Sequence, residues 1–474
     1  MPNRPLNRAL VGLLLLALPV GATRAEAQTD DLAGRVELGF PPVIVPSEPI
    51  APDLEGAVQL DLPAVDLHAA QRRDEARIDD GRVAHFAAVL PVDTDPWREA
   101  LRSWDLTDDG LARWRLHIAS PGALSLSLAF SRFDLPRGAR LVLRDAAGRF
   151  SIGPFTARDR DEHGELWTPP LPTDDLLLEL TLPLAGFDQL QLDLERVHHG
   201  YAGFGEPSPV KAGACHADVA CLDDPDAWRD PARAVGLVSI EGVRYCTGFL
   251  INNTAQDGRP LFVTAGHCGI DESNASSVVV IWNHQLETCD GTTTEPGPQF
   301  QTGAILRAVD RRADIALIEL DDPPPPPAQV AWAGWDRSDD EPVRAAAIHH
   351  PNTDRKRIAL TDGPVHAAHH LQKARVRGAD HLRVSGWTRG TTEGGSSGSP
   401  LFNEDFRAVG VLHGGYAACG NGDADWFGRL SAAWDGDEAG ERLRDWLDPL
   451  GTQTVVLDAM APELPDAEAF APRR

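Results

Sequence analysis

Three short strings in this sequence hold the residue types needed for acyl transfer: His267 in VTAGHCG, Asp314 in RADIALIEL and Ser397 in GGSSGSPLF. A serine hydroxyl is a weak nucleophile. To attack a carbonyl it needs a base to take its proton and a carboxylate to hold that base in one tautomer. Each string alone is ambiguous. A Gly-Ser run is ordinary turn composition, a TAGHC histidine can be a packed core residue, and an aspartate before IALIEL can simply begin a strand. Together, and in the order His, Asp, Ser, they argue for hydrolysis through a serine nucleophile. That order disfavours an α/β-hydrolase, where serine comes first and histidine last.

Side chains so far apart in sequence must be positioned by a rigid scaffold, and the scaffold reads as all-β. From about residue 113 the chain alternates apolar and polar residues in RWRLHI, ALSLSLAF, RLVLRD, LLLELTL and QLQLDLERV, with Pro and Gly turns between. Period-two runs imply antiparallel strands with one buried face, hence a β-sandwich over residues 28–211. The stretch before it, to about 95, is rich in Pro, Ala and Asp and predicts short strands and loops. GFGEPSPVKAGAC, 203–215, reads as a linker. Beyond it AVGLVSI, GFLIN, PLFVTAG, SVVVIWN, DIALIEL and AVGVLHGG predict a second all-β domain over 212–458, closed by an amphipathic helix in GERLRDWLDPL. DDPPPPP, from Asp321, predicts an exposed connector. Residues 459–474 form a short acidic tail.

Arg4 and Arg8 precede an apolar run from Ala9 to Ala22, and Ala25-Glu26-Ala27 follows as a cleavage signal, so residues 1–27 predict a secretory signal peptide. The run is too short, and too interrupted by Pro19, for a membrane anchor. Export permits disulfides, and all six cysteines fall between 215 and 419. A formal charge of −27 argues against a nucleic-acid partner and fits solubility outside the cell. No cofactor or metal is predicted. His198 and His199, adjacent on a strand, point to opposite faces, and the pairs His349-His350 and His369-His370 lack zinc spacing and read as solvated.

The three strings resemble the trypsin-like (chymotrypsin-fold) serine endopeptidases, most nearly the secreted bacterial lysyl endopeptidases, over roughly residues 212–458. The resemblance implies protein or peptide substrates and a double β-barrel with the site between the barrels, and it puts the nucleophile on Ser397. It gives the oxyanion hole to the backbone N–H groups of Gly395 and Ser397. It also implies disulfides Cys215–Cys419, Cys221–Cys289 and Cys246–Cys268. Ser396 replaces the aspartate that pairs with a new N-terminus in pancreatic-type zymogens, so the β-sandwich becomes the candidate propeptide and a partner of the protease domain, with a permanent accessory domain as the alternative.

The tryptic pocket aspartate is also missing, its place taken by Thr391. GNGDADWFGRL instead matches the segment whose acid meets a lysine ammonium, which implies Asp425, with Glu393, His413 and Gly414 also lining the substrate site. A compact ammonium suits one carboxylate better than a guanidinium does, favouring cleavage after Lys. Cleavage after Arg or after both is the alternative within the class, and a non-catalytic binding protein the alternative outside it. An aromatic partner stacked on His413 is expected, yet no Trp occurs in 336–386. Of the three lysines, Lys211 lies in the linker, where self-cleavage would release Ala212 as the new N-terminus.

Overall fold

The computed structural model describes residues 54–79, 83–202, 213–286, 288–289, 291 and 299–461. The predicted signal peptide, Lys211 and most of the acidic tail lie outside these residues.

The alternating runs form two sheets. Strands 58–61, 112–119, 175–182, 140–145 and 151–155 pair in that order, with 105–106 beside 112–119; strands 87–91, 191–200, 125–134 and 166–167 make the second sheet. The first pair is parallel, and its neighbours are antiparallel. Their inward side chains, among them Trp114, Leu116, Phe130, Leu141, Leu178 and Val197, share one core. Trp97 meets Trp114 edge to face at 5.5 Å. The region before residue 95 departs from expectation, since it contains helix α1 (Leu67–Asp79) and ends where helix α2 (Thr94–Ala100) begins. LHAAQRRDEARID is built largely from Ala, Leu, Gln, Arg and Glu without Gly or Pro, and these propensities prevail over the short-strand reading.

That core does not stop at the linker. Leu237, Val243, Tyr245, Val279, Ile281 and Phe300 of the following domain belong to the same cluster, and the Phe86 N–H donates to the Val243 carbonyl at 2.8 Å. Burial of Phe300 alone contributes about 2–3 kcal/mol of apolar stabilisation at this junction.

The second domain is built on two sheets, antiparallel but for one parallel pairing of Trp335 with Ala408. One has seven strands, including β1 (Val235–Ile240), β2 (Arg244–Leu250), β3 (Leu261–Ala265), β4 (Ala304–Asp310) and β5 (Ile315–Leu320). The other has ten, including β6 (Ala345–His349), β7 (Val365–Ala368), β8 (His381–Val384), β9 (Pro400–Phe402), β10 (Ala408–Gly415) and β11 (Asp425–Arg429). Val263, Ile315, Leu317, Ile348, Phe402 and Val411 pack the two sheets onto one another. The architecture is all-β and chymotrypsin-like, with short added strands around each sheet.

Disulfides join Cys215 to Cys419, Cys221 to Cys289 and Cys246 to Cys268, and there is no free cysteine among the described residues. The closing helix is only Arg444–Leu447, because Pro449 lies just beyond it, although Leu443 and Leu447 are buried as the pattern requires. DDPPPPP is not wholly exposed: the Asp321 carboxylate is buried beside His163 of the N-terminal sandwich. The solvated reading of His349 and His350 is also corrected. Both are 0 % exposed, because each ring fills space beneath the Ser397 segment and finds one polar partner. No described helix is long and apolar enough to cross a membrane.

Candidate active site

His267 follows β3 on a short 3-10 turn, Gly266–Cys268, which the disulfide from Cys268 to Cys246 fastens to β2. Asp314 sits at the turn between β4 and β5 with a φ of 55°, a left-handed conformation that aspartate tolerates better than most residues. Ser397 lies on the loop leading into β9. Hydrogen bonds link all three: His267 Nδ1 donates to Asp314 Oδ2 at 2.6 Å, and Ser397 Oγ lies 2.9 Å from His267 Nε2. Asp314 Oδ1 also accepts the His267 backbone N–H at 2.7 Å, so the carboxylate grips both ends of the residue it orients. With Nδ1–H committed to Asp314, Nε2 is left as the acceptor facing the hydroxyl.

The turn around Ser397 has to be glycine-rich. Gly395 and Gly398 have φ values of 86° and 87°; a Cβ at the first would run into the Tyr245 ring, and at the second into the Thr247 carbonyl. Thr247 clamps the loop from below: its Oγ1 donates to the Gly395 carbonyl and its N–H to the Ser397 carbonyl, both at 2.8 Å. These bonds fix the Gly395–Ser396 and Ser397–Gly398 peptide planes, not the planes that carry the N–H groups of Gly395 and Ser397. Neither donates to an acceptor among the described residues. Ser396 is buried; it accepts the Glu393 N–H and sits 2.7 Å from His349 Nδ1, a neutral pairing in the place where a zymogen's ion pair would form.

Asp425 belongs to β11, not to a solvated turn, and is 1 % exposed. Its Oδ2 accepts Trp387 Nε1–H at 2.7 Å and Thr392 Oγ1–H at 2.6 Å, while a Cβ on Gly415 would press against Oδ1. Burial pushes its pKa up, against the lowering effect of Thr392 and Trp387. Gly414 has open space where a side chain would stand. Glu393 faces elsewhere: its Oε2 accepts the Gly213 N–H at 3.3 Å and Asn352 Nδ2–H at 3.1 Å, with His216 Nε2 at 3.2 Å. Of the anticipated substrate-site residues, then, Asp425, His413 and Gly414 lie on adjoining strands, whereas Glu393 ties down the start of the domain.

His413 lies beside the triad, its Nε2 3.6 Å from Asp314 Oδ2. Its stacking partner is not a tryptophan but His370, with ring centroids 3.6 Å apart and planes 12° from parallel. The solvated reading of His370 is thereby corrected; an imidazole supplies the flat face that a search for Trp could not find. Trp387 and Thr392, the hydrogen-bond partners of Asp425, are residues that the sequence reading misses, and only their nearness to Ser397 in the chain could have suggested them. Ligand-type atoms also converge at Cys215, His216 and Cys419 and at His267, Asp314 and His413. The first set has its sulfurs in a disulfide, and the second is the hydrogen-bonded triad with its neighbour, so both are already engaged.

Residues 61–201 match the lysyl endopeptidase N-terminal domain family, and residues 210–428 match the lysyl endopeptidase C-terminal domain family. A lysyl endopeptidase of Pseudomonas aeruginosa is 30% identical over 349 residues, covering 67% of this chain and 72% of that one. Among solved structures, the active form of the Rv3671c protease from M. tuberculosis is 15% identical with a TM-score of 0.28, over 47% of this chain and 88% of that one. A serine endoprotease from Yersinia pestis is 16% identical with a TM-score of 0.31, over 45% and 64%. Superpositions this loose carry no further argument; the two domain matches and the P. aeruginosa relative do. The chain belongs to the lysyl endopeptidase family and is a serine endopeptidase.

Proposed function

We propose that this endopeptidase cuts on the carboxyl side of lysine with Ser397 as nucleophile, His267 as general base and acid, and Asp314 as the group that orients His267. It is exported through residues 1–27 and made as a proenzyme. The single observation that carries the reading is the unbroken line of hydrogen bonds from Asp314 Oδ2 through His267 to Ser397 Oγ.

In this scheme Ser397 Oγ attacks the scissile carbonyl as His267 Nε2 takes its proton. The oxyanion is held by the N–H groups of Gly395 and Ser397, each such donor being worth roughly 3 kcal/mol in the transition state. His267 returns the proton to the leaving amine, an acyl-enzyme remains on Ser397, and water repeats the sequence to release the acid. The imidazolium that forms in each half is stabilised by Asp314, which stays ionised throughout.

Asp425 selects the residue before the cut. Its Oδ2 is taken by Trp387 and Thr392, so what it offers is a point contact, which fits the compact ammonium of lysine better than the two-pronged guanidinium of arginine. Residues 28–211 act as the propeptide, and cleavage after Lys211 frees a protease domain beginning at Ala212. In support, the sandwich shares a core with the protease domain, which would let it fold and hold its partner before cleavage.

The reading is tested with a fluorophosphonate probe and by N-terminal sequencing of the secreted protein beside a Ser397→Ala control. Label on the Ser397 peptide and a mature N-terminus at Ala212, both lost in the control, are expected. Label on another residue, or the same processed N-terminus in Ser397→Ala expressed alone, would overturn it.

A further inference from the structure

Behind the triad runs a line of polar side chains that the reaction scheme leaves unused. His413 Nδ1 is 3.0 Å from His381 Nε2, and His381 Nδ1 is 2.8 Å from Asp380 Oδ1. Asp380 is also within 3.2 Å of Nδ1 of His369, a half-exposed ring at the edge of the domain. Strands β7, β8, β11 and β10, in that pairing order, bring these groups together. His381 is 1 % exposed, so its hydrogen bonds cannot be traded for water. At the inner end, His413 Nε2 faces Asp314 Oδ2 at 3.6 Å, beyond hydrogen-bond range.

Such a line has a direction. Burial raises the Asp380 carboxyl, but the hydrogen bonds from His381 and His369, and their charge when protonated, outweigh this and keep it below the usual range, so it is ionised and only accepts. His381 Nδ1 must therefore carry a proton. In a neutral His381 the other nitrogen, Nε2, is then a bare lone pair that can only accept, and the proton between the two rings belongs to His413 Nδ1. His413 is itself neutral, because burial, reinforced by His370, His267 and His381 against the opposing charge of Asp314, brings its pKa down to about 3. Its Nε2 is consequently bare on the side facing Asp314. A lone pair opposite a carboxylate oxygen explains why two groups so close stop short of a hydrogen bond.

Resting on the triad assignment above, we propose that Asp380 and His381 are positioning residues for catalysis: they lock His413 in the Nδ1–H tautomer and so deny Asp314 a second side-chain donor. Asp314 Oδ2 then serves His267 Nδ1–H alone and keeps its full basicity for the imidazolium. With the opposite tautomer, His413 Nε2–H would donate to Oδ2, draw charge from it, and weaken His267 as a base.

The test is the acid limb of the kcat/KM profile in His381→Leu and His381→Gln, with active-site titration of each protein. The groups facing His267 and His413 are Asp314, His370 and His381, and none but His381 is altered. Leucine offers no acceptor, so His413 is free to turn its proton toward Asp314. The acid limb should fall by about one pH unit, the equivalent of one charge-assisted hydrogen bond, with kcat down roughly three- to tenfold. Glutamine restores an acceptor and should recover most of both.

Nitrogen-15 spectra of the unmodified protein read the tautomer directly, and also serve if His381→Leu does not fold. An Nδ1-protonated His413 is expected. An Nε2-protonated His413, or an acid limb in folded His381→Leu identical to that of the unmodified protein, would overturn the proposal. If Ser397 fails to titrate, it is the triad assignment that falls, while the spectra still report on the tautomer.

Discussion

Replacing Asp425 by asparagine removes one charge and little else. The amide keeps the side-chain volume, and its carbonyl can still accept from Trp387 Nε1–H and Thr392 Oγ1–H, the two bonds that hold the carboxylate in place. With Asp425 only 1 % exposed, water does not screen it, and a lysine ammonium arriving beside a neutral amide there would be desolvated without a counter-charge. Removing one partner of a buried pair costs about 3–5 kcal/mol. At about 1.36 kcal/mol per decade, that predicts a fall in kcat/KM for lysine substrates of roughly 10²- to 4 × 10³-fold. The uncharged isostere norleucine provides the internal control, because it never had the ion pair. The assay is kcat/KM on three matched peptide amides with Lys, Arg or norleucine before the scissile bond, for the unmodified enzyme and Asp425→Asn. The lysine-to-norleucine ratio should collapse while norleucine turnover holds or improves. Retention of lysine kcat/KM to within tenfold would show that the ammonium does not meet Asp425. An equal loss on norleucine would show that the substitution damaged the fold rather than the recognition.

Other expectations follow from particular contacts. Gly395→Ala should lower kcat by about 10²- to 10³-fold with little change in KM, since the new methyl group meets the Tyr245 ring and tilts an oxyanion-hole N–H; steady-state kinetics on one lysine ester would detect this. At the junction of the two domains, burial lifts the carboxyl of Asp159 to about 6 and that of Asp321 to about 7. Raised folded-state values mean that these groups contribute fully below about pH 4, and that stability is lost as pH rises toward 7. The thermal midpoint of full-length Ser397→Ala should therefore fall between about pH 4 and pH 7, and Asp321→Asn should flatten that fall; an unchanged slope would argue against it. Of the lysines among the described residues, Lys356 is fully buried with its ammonium donating to the Ala232 carbonyl, whereas Lys373 is exposed. Lys373→Ala should lengthen the autolysis half-life of the mature enzyme several-fold on gels, and first cuts elsewhere would contradict this.

What is legible in the sequence is carried by neighbouring residues. The G-S-S-G-S-P turn requires positive φ at Gly395 and Gly398, and the strands at 112–119 and 175–182 alternate over one buried face except at the buried Arg115 and Leu177. What is not legible depends on pairing between distant segments. His370, His381 and Asp380 reach His413 only because β8 and β11 lie side by side next to β10, and nothing near any of them in sequence announces it. Asp321 looks like a solvated connector residue until the N-terminal sandwich is laid across it. Helix α1 escapes a composition argument that weighs Pro and Asp over the whole stretch rather than the helix formers concentrated in its 13 residues.

Serine-dependent cleavage directed to lysine by Asp425 is tested most directly by digesting a denatured protein mixture with the purified enzyme and with Ser397→Ala. Mass spectrometry then reads the residue preceding every new terminus. Cuts confined to lysine, and absent from the Ser397→Ala digest, are the expected result. Comparable cutting after arginine, or cutting that survives the loss of Ser397, would contradict it.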